Sequence, residues 1–227
     1  MAKSNEQKER GGLVFEMENL ALHARRIRYE VLAGIFNEQQ IAFSEVEFSR
    51  YCLGRPDDYL PALLEKVGYT SAPATMVAER LRGETLSRLM QKTATIDATL
   101  KLWLDEAKKR GMPIAAVTSL PQEAADSVAA HLSFESWGIR VFASSDSKGY
   151  FTPAAWGHAA HAIGRRASHC VAIVTGAAWG LAALAAGCKV IAAPDEFTAF
   201  ENFSGMDYVP DSLKDLKPDA TFRKLSL

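Results

Sequence analysis

Residues 170–193 read Cys170-Val171-Ala172-Ile173-Val174-Thr175-Gly176-Ala177-Ala178-Trp179-Gly180-Leu181-Ala182-Ala183-Leu184-Ala185-Ala186-Gly187-Cys188-Lys189-Val190-Ile191-Ala192-Ala193. Two short continuous apolar runs, 170–174 and 189–193, flank a small-residue helix over 181–186. Gly187 stands where a helix C-terminus favours a left-handed residue. Strands that are apolar without alternation are covered on both faces, and strands that alternate with helices form a parallel sheet. The same rhythm extends outward. A helix over 100–110 precedes Gly111 and a strand run 113–117 that ends at Thr118-Ser119. A helix over 121–132, a strand over 139–143 and a helix over 153–163 follow. The alanines between 154 and 193 permit close packing of helix on sheet. Further upstream, Leu13-Val14-Phe15 has strand composition.

Between that first run and residue 96 the period changes. Apolar residues recur at three- and four-residue steps, as in Ile27, Val31-Leu32, Ile35-Phe36 and later Leu60, Leu63-Leu64, Val67. At least three helices, four on the fuller count, and no strand are expected here. The whole reads as an α/β protein: a doubly wound parallel-sheet core over 13–21 and 94–227, an all-helical insertion over 22–93, and a loose tail over 1–12. In open sheets of this kind, ligands bind at the C-terminal strand ends, near a switch in strand order. Glu16, Glu18, Thr118, Ser119, the 144–150 segment and 175–177 fall there.

Composition narrows the classes. The chain has 227 residues and a formal net charge of −1, with 48% hydrophobic and 23% charged residues. These values exclude a disordered or collagen-like chain. The charge balance speaks against a nucleic-acid binder, which usually shows a basic face. No apolar stretch reaches the roughly 18–20 residues that span a bilayer, so no membrane partner is expected. Three cysteines without C-x-x-C spacing read as reduced thiols in a cytoplasmic protein. Walker, dinucleotide-binding and Gly-x-Ser-x-Gly patterns are absent. His158 and His161 share a helix face but have no acids or thiols nearby in sequence, so they read as a helix surface.

The segment Val14-Phe15-Glu16-Met17-Glu18-Asn19-Leu20 resembles the first motif of the haloacid dehalogenase-like hydrolases, an apolar strand followed by Asp-x-Asp-Gly. The helical insertion is similar to the small cap of their β-phosphoglucomutase and phosphoglycolate phosphatase branch. The run 109–119 resembles the second motif, 180–191 the stretch after the fourth, and 207–213 the C-terminal end. The resemblance covers nearly the whole chain in order. It implies a phosphohydrolase that uses Mg²⁺ and a small phosphorylated substrate. The first Asp would act as nucleophile and the second as general acid and base.

The chemistry departs from that pattern. Glu16 and Glu18 stand where the two aspartates belong, each one methylene longer, and Asn19 replaces the glycine. The acidic residues expected after the 170–174 strand are Thr175, Gly176 and Ala177. The K-x-x-P lysine position, counted from Pro153, is Tyr150, with Lys148 two residues earlier. Thr118 alone keeps the expected type, and with Ser119 and nearby backbone N–H groups it is the phosphate- or anion-binding candidate. Glu16, Glu18 and Lys148 are the catalytic candidates. Glu16, with the Glu18 backbone, is what remains of a metal site, so Mg²⁺ binding is expected to be weak or lost. Two neighbouring carboxylates without a metal are expected to repel, with one holding a proton near neutral pH. Three functions stay open: a degenerate phosphohydrolase that retains anion binding, a divergent phosphatase or phosphomutase using Glu16, and a non-catalytic interaction protein on the same fold. Composition and motif leave the oligomeric state unread.

Overall fold

The computed structural model of the chain describes residues 11–53, 59–91, 95–143 and 152–227. Five strands form one parallel sheet: β1 (Gly12–Glu16), β2 (Ile114–Thr118), β3 (Ile139–Ala143), β4 (Cys170–Val174) and β5 (Lys189–Ala192). Their order is β3-β2-β1-β4-β5. The register pairs Glu16 with Val117 on one side of β1, and Phe15 with Ile173 on the other. The chain therefore builds outward from β1 through β2 to β3 and returns to β4 on the opposite flank. That reversal makes the C-terminal ends of β1 and β4 the switch point, where a cleft opens in folds of this kind. β1 opens at Gly12, one residue before the expected start of the core. A Cβ at Gly12 would meet Cys170 Sγ and Ile163 Cδ1, both at 3.0 Å.

Successive side chains leave a strand on opposite faces, and the sheet separates two cores on that basis. Leu13 and Phe15 join Ala116, Ile173 and Ile191 on one face. There they meet α6 (Ala98–Lys109), α7 (Gln122–His131) and α10 (Pro218–Lys224), with Trp103 set edge-on to Phe222 at 5.3 Å. Val14, Val117, Ala172, Val174 and Val190 point to the other face. That face is covered by α8 (Pro153–Ala162) and α9 (Ala177–Ala185), whose buried Ala155, Ala159, Ala160, Ala182 and Ala183 let the helices lie close. Each fully buried large apolar side chain contributes about 1.5–3 kcal/mol, so both faces stabilise the sheet.

Among the described residues four helices lie in the 22–93 segment, as expected: α2 (Ala24–Asn37), α3 (Glu45–Cys52), α4 (Leu60–Val67) and α5 (Ala74–Gln91). A short further helix, α1 (Met17–Leu22), precedes them and leaves β1 without a loop. His23 ends it in the left-handed region (φ 52, ψ 45), where a non-glycine residue is uncommon. α2 starts at once on the other side. α3 begins with a capping box between Ser44 and Glu47. Asp97 caps α6 through the N–H groups of Thr99 and Leu100, and its own N–H donates to the Ala21 carbonyl. The chain leaving the sheet for the helical segment is thus tied to the chain returning from it. No helix among the described residues is long and apolar enough to cross a membrane.

Candidate functional site

β1 and α1 deliver Glu16 and Glu18 to the switch point, and both are buried, at 0% and 5% exposure. They are not surface acids after a strand. Glu16 reaches across to the residue that follows β4. The Thr175 N–H donates to Oε2 at 2.8 Å, and the Thr175 hydroxyl lies 2.9 Å from both carboxylate oxygens. The Asn19 side-chain amide donates to Oε1 from one turn onward in α1. Burial pushes the Glu16 carboxyl up to about 7, against the Arg25 guanidinium and the Asn19 and Thr175 hydrogen bonds, which hold it down.

Glu18 turns to β2 instead. Its Oε1 accepts the Thr118 hydroxyl at 2.7 Å and both the N–H and the hydroxyl of Ser119 at 3.1 Å. The Leu120 N–H completes the Thr118 oxygen at 3.0 Å. Glu18 Oε2 is buried with no hydrogen-bond partner among the described residues. Burial raises the Glu18 pKa too, while the Thr118 and Ser119 donors lower it. Mutual repulsion is therefore not what raises these two carboxyls, contrary to the expectation from their spacing. Each has its own set of donors, and removal from water disfavours the charged form of both.

The sequence pattern did not single out Arg25. It lies in the first turn of α2, only 4% exposed. One end of its fork donates to Asp195 Oδ2. The other donates to the Thr175 hydroxyl at 2.9 Å and stands 3.5 Å from Glu16 Oε1. The guanidinium carbon sits 4.6 Å from the Trp179 ring centroid. Asp195 is positioned by the turn after β5, where its Oδ1 accepts the Phe197 N–H at 3.0 Å. The Thr198 hydroxyl ties that turn to the Thr175 carbonyl at 2.6 Å. Glu201 accepts the Ala177 N–H at the start of α9 at 2.6 Å. Arg25 was legible in one respect: it lies seven and eleven residues before Leu32 and Phe36, on the stripe that α2 buries.

No protein-family model matches the chain, and no curated protein matches it by sequence. Solved structures do. The β-phosphoglucomutase of Clostridium difficile superposes with a TM-score of 0.75 at 16% identity, over 96% of this chain and 97% of that one. A HAD family hydrolase from Deinococcus radiodurans with bound phosphate and sodium gives 0.75 at 18%, over 95% and 97%. A point mutant of CbbY from Rhodobacter sphaeroides in complex with xylulose 1,5-bisphosphate gives 0.74 at 15%, over 91% and 96%. The chain has the fold of the haloacid dehalogenase-like hydrolases.

Against that HAD fold, the residues sort plainly. Glu16, Glu18, Thr118 and Ser119 converge at one end of the sheet, and Thr175 joins them. Lys148 lies outside the described residues. Thr175, Gly176 and Ala177 bring no carboxylate to the end of β4, and no group of three or more His, Cys, Asp or Glu residues suited to a metal ion occurs among the described residues. Gly176 has extended backbone (φ −130, ψ 147). What constrains it is space, since a Cβ there would stand 2.4 Å from the Trp179 ring. His158 lies edge-on to Phe142, and His161 lines a separate cavity with Arg140 and Gly164.

Proposed function

We propose that this HAD-fold chain is a degenerate phosphohydrolase, with little or no turnover of phosphate monoesters. One observation carries the reading: Glu18 takes for itself the Thr118 and Ser119 donors that the resemblance assigns to a phosphate. An in-line phosphoryl transfer also needs a cation over the phosphate oxygens. The residues do not fit Mg²⁺, which takes one or two carboxylates and keeps several waters. The three positions after β4 lack carboxylates, and a guanidinium already stands against Glu16. The segment 22–93 serves as a cap over a core of 13–21 and 94–227, in a cytoplasmic protein. Its ligand class is a small phosphorylated molecule or another anion, which must displace Glu18 to bind.

A second reading has one observation in its favour. A carboxyl pushed up to about 7, as at Glu16, is partly ionised at neutral pH, and the ionised form is the one that attacks phosphorus. The divergent-enzyme reading makes Glu16 the working group, with Lys148 recruited. Hydrolysis of p-nitrophenyl phosphate and a sugar-phosphate panel, with and without Mg²⁺, separates the two. The degenerate reading expects background rates in every arm. Turnover abolished by Glu16→Ala establishes the divergent enzyme instead.

A further inference from the structure

We propose that the Arg25 guanidinium is the resident cation of this site, a covalently attached charge standing between Glu16, Thr175 and Asp195 in place of a divalent ion. The proposal goes beyond the loss of hydrolysis and does not depend on it.

Position is the first argument. By resemblance, metal ligands come from the residue after β1's apolar run and from the residues after β4. In this chain those are Glu16 and Thr175, and Arg25 touches both from a single nitrogen, at 3.5 Å and 2.9 Å. Its other terminal nitrogen is held by Asp195. A divalent ion seated on Glu16 would sit against a fixed positive charge.

Charge is the second. A buried ion is tolerated only when it is paired and hydrogen-bonded. Arg25 faces Glu16 and Asp195 directly. Two carboxylates thus contact one guanidinium at the switch point. Without it, Glu16 and Asp195 lose their counter-charge, a state relieved by protonation or by a bound cation.

Chemistry is the third. Arginine stays protonated at every accessible pH, and its planar fork reaches several acceptors at once. The Trp179 face at 4.6 Å is a further attraction for a cation. A divalent ion is present only to the extent that its concentration allows, whereas Arg25 is always present. Stability of this fold is therefore independent of divalent metal.

The test is thermal unfolding of the full chain in EDTA, in millimolar MgCl₂ and in millimolar MnCl₂. The unmodified protein is expected to unfold at one temperature in all three. Arg25→Ala is expected to unfold roughly 6–20 °C lower, the range for breaking a buried pair in a chain of this size, and to recover part of that loss with either metal. The neutralised triple variant Arg25→Met, Glu16→Gln, Asp195→Asn keeps the proposal falsifiable if Arg25→Ala does not fold. It is expected to fold, to exceed Arg25→Ala in stability and to ignore metal. The proposal is overturned if the unmodified protein is stabilised by Mg²⁺ below a millimolar. It is equally overturned if Arg25→Ala unfolds where the unmodified protein does, or if the triple variant is no more stable than Arg25→Ala. Metal-free turnover would sink the proposed function and leave this role of Arg25 standing.

Discussion

The Thr118 hydroxyl donates to Glu18 Oε1 at 2.7 Å, joining the end of β2 to the first turn of α1. With the two Ser119 donors at 3.1 Å, that carboxylate oxygen accepts three hydrogen bonds, an environment suited to an anion. The side chain that resembles the acid–base residue of the family is thereby held on the anion donors.

Removing that carboxylate should free the donors. Glu18→Ala is expected to bind inorganic phosphate more tightly than the unmodified protein, seen as a larger phosphate-dependent rise in unfolding temperature or as heat in a calorimetric titration. Thr118→Val on the Glu18→Ala background should remove the gain. Equal responses to phosphate before and after Glu18→Ala would mean that Thr118 and Ser119 are not the anion donors.

The Glu16 carboxyl sets a pH dependence whose sign is fixed. Its pKa in the fold is about 7, against an ordinary value of 4.5. The folded state therefore holds a proton that the unfolded state has released, and stability falls as pH rises from about 4.5 to about 7, then levels off. A shift of this size corresponds to a loss on the order of 3 kcal/mol. Glu16→Gln cannot titrate, so the difference in unfolding free energy between it and the unmodified protein should track that window. A difference that stays flat from pH 4.5 to 7 would show that the Glu16 carboxyl keeps its ordinary pKa.

Restoring a family-type acid after β4 meets a steric obstacle. In Gly176→Asp the new Cβ would stand 2.4 Å and 2.5 Å from two Trp179 ring carbons, and a ring yields less than a flexible chain end. Overpacking costs about 1–3 kcal/mol, so the unfolding temperature should drop by several degrees. Gly176→Asp with Trp179→Leu is expected to lose less than the two single changes summed. Glu16→Asp alone should restore no hydrolysis, because it supplies neither the missing carboxylates nor a free cation site.

The sheet was readable because its physics is local. Residues 114–117 and 170–174 are apolar without interruption, a pattern that fits strands covered on both faces. Glu16 ends β1 and Glu18 follows it by two residues, so the strand brings both to the C-terminal end of the sheet. The α1 helix was not readable, as six residues are too few to show a helical period. The partners of the two glutamates were hidden for another reason. Arg25 and Asp195 are 170 residues apart in the chain. A charge on the apolar stripe of α2 marks a buried cation, but only the folded sheet shows which acid meets it.

The most direct test of the degenerate site is steady-state hydrolysis of p-nitrophenyl phosphate and sugar phosphates by the unmodified protein at neutral pH, in millimolar Mg²⁺ and in EDTA. Rates at the buffer background in both conditions are the expected result. Mg²⁺-dependent turnover that disappears in Glu16→Ala would contradict it, because a working cation and a working carboxylate would then share the space that Arg25 and Glu16 occupy.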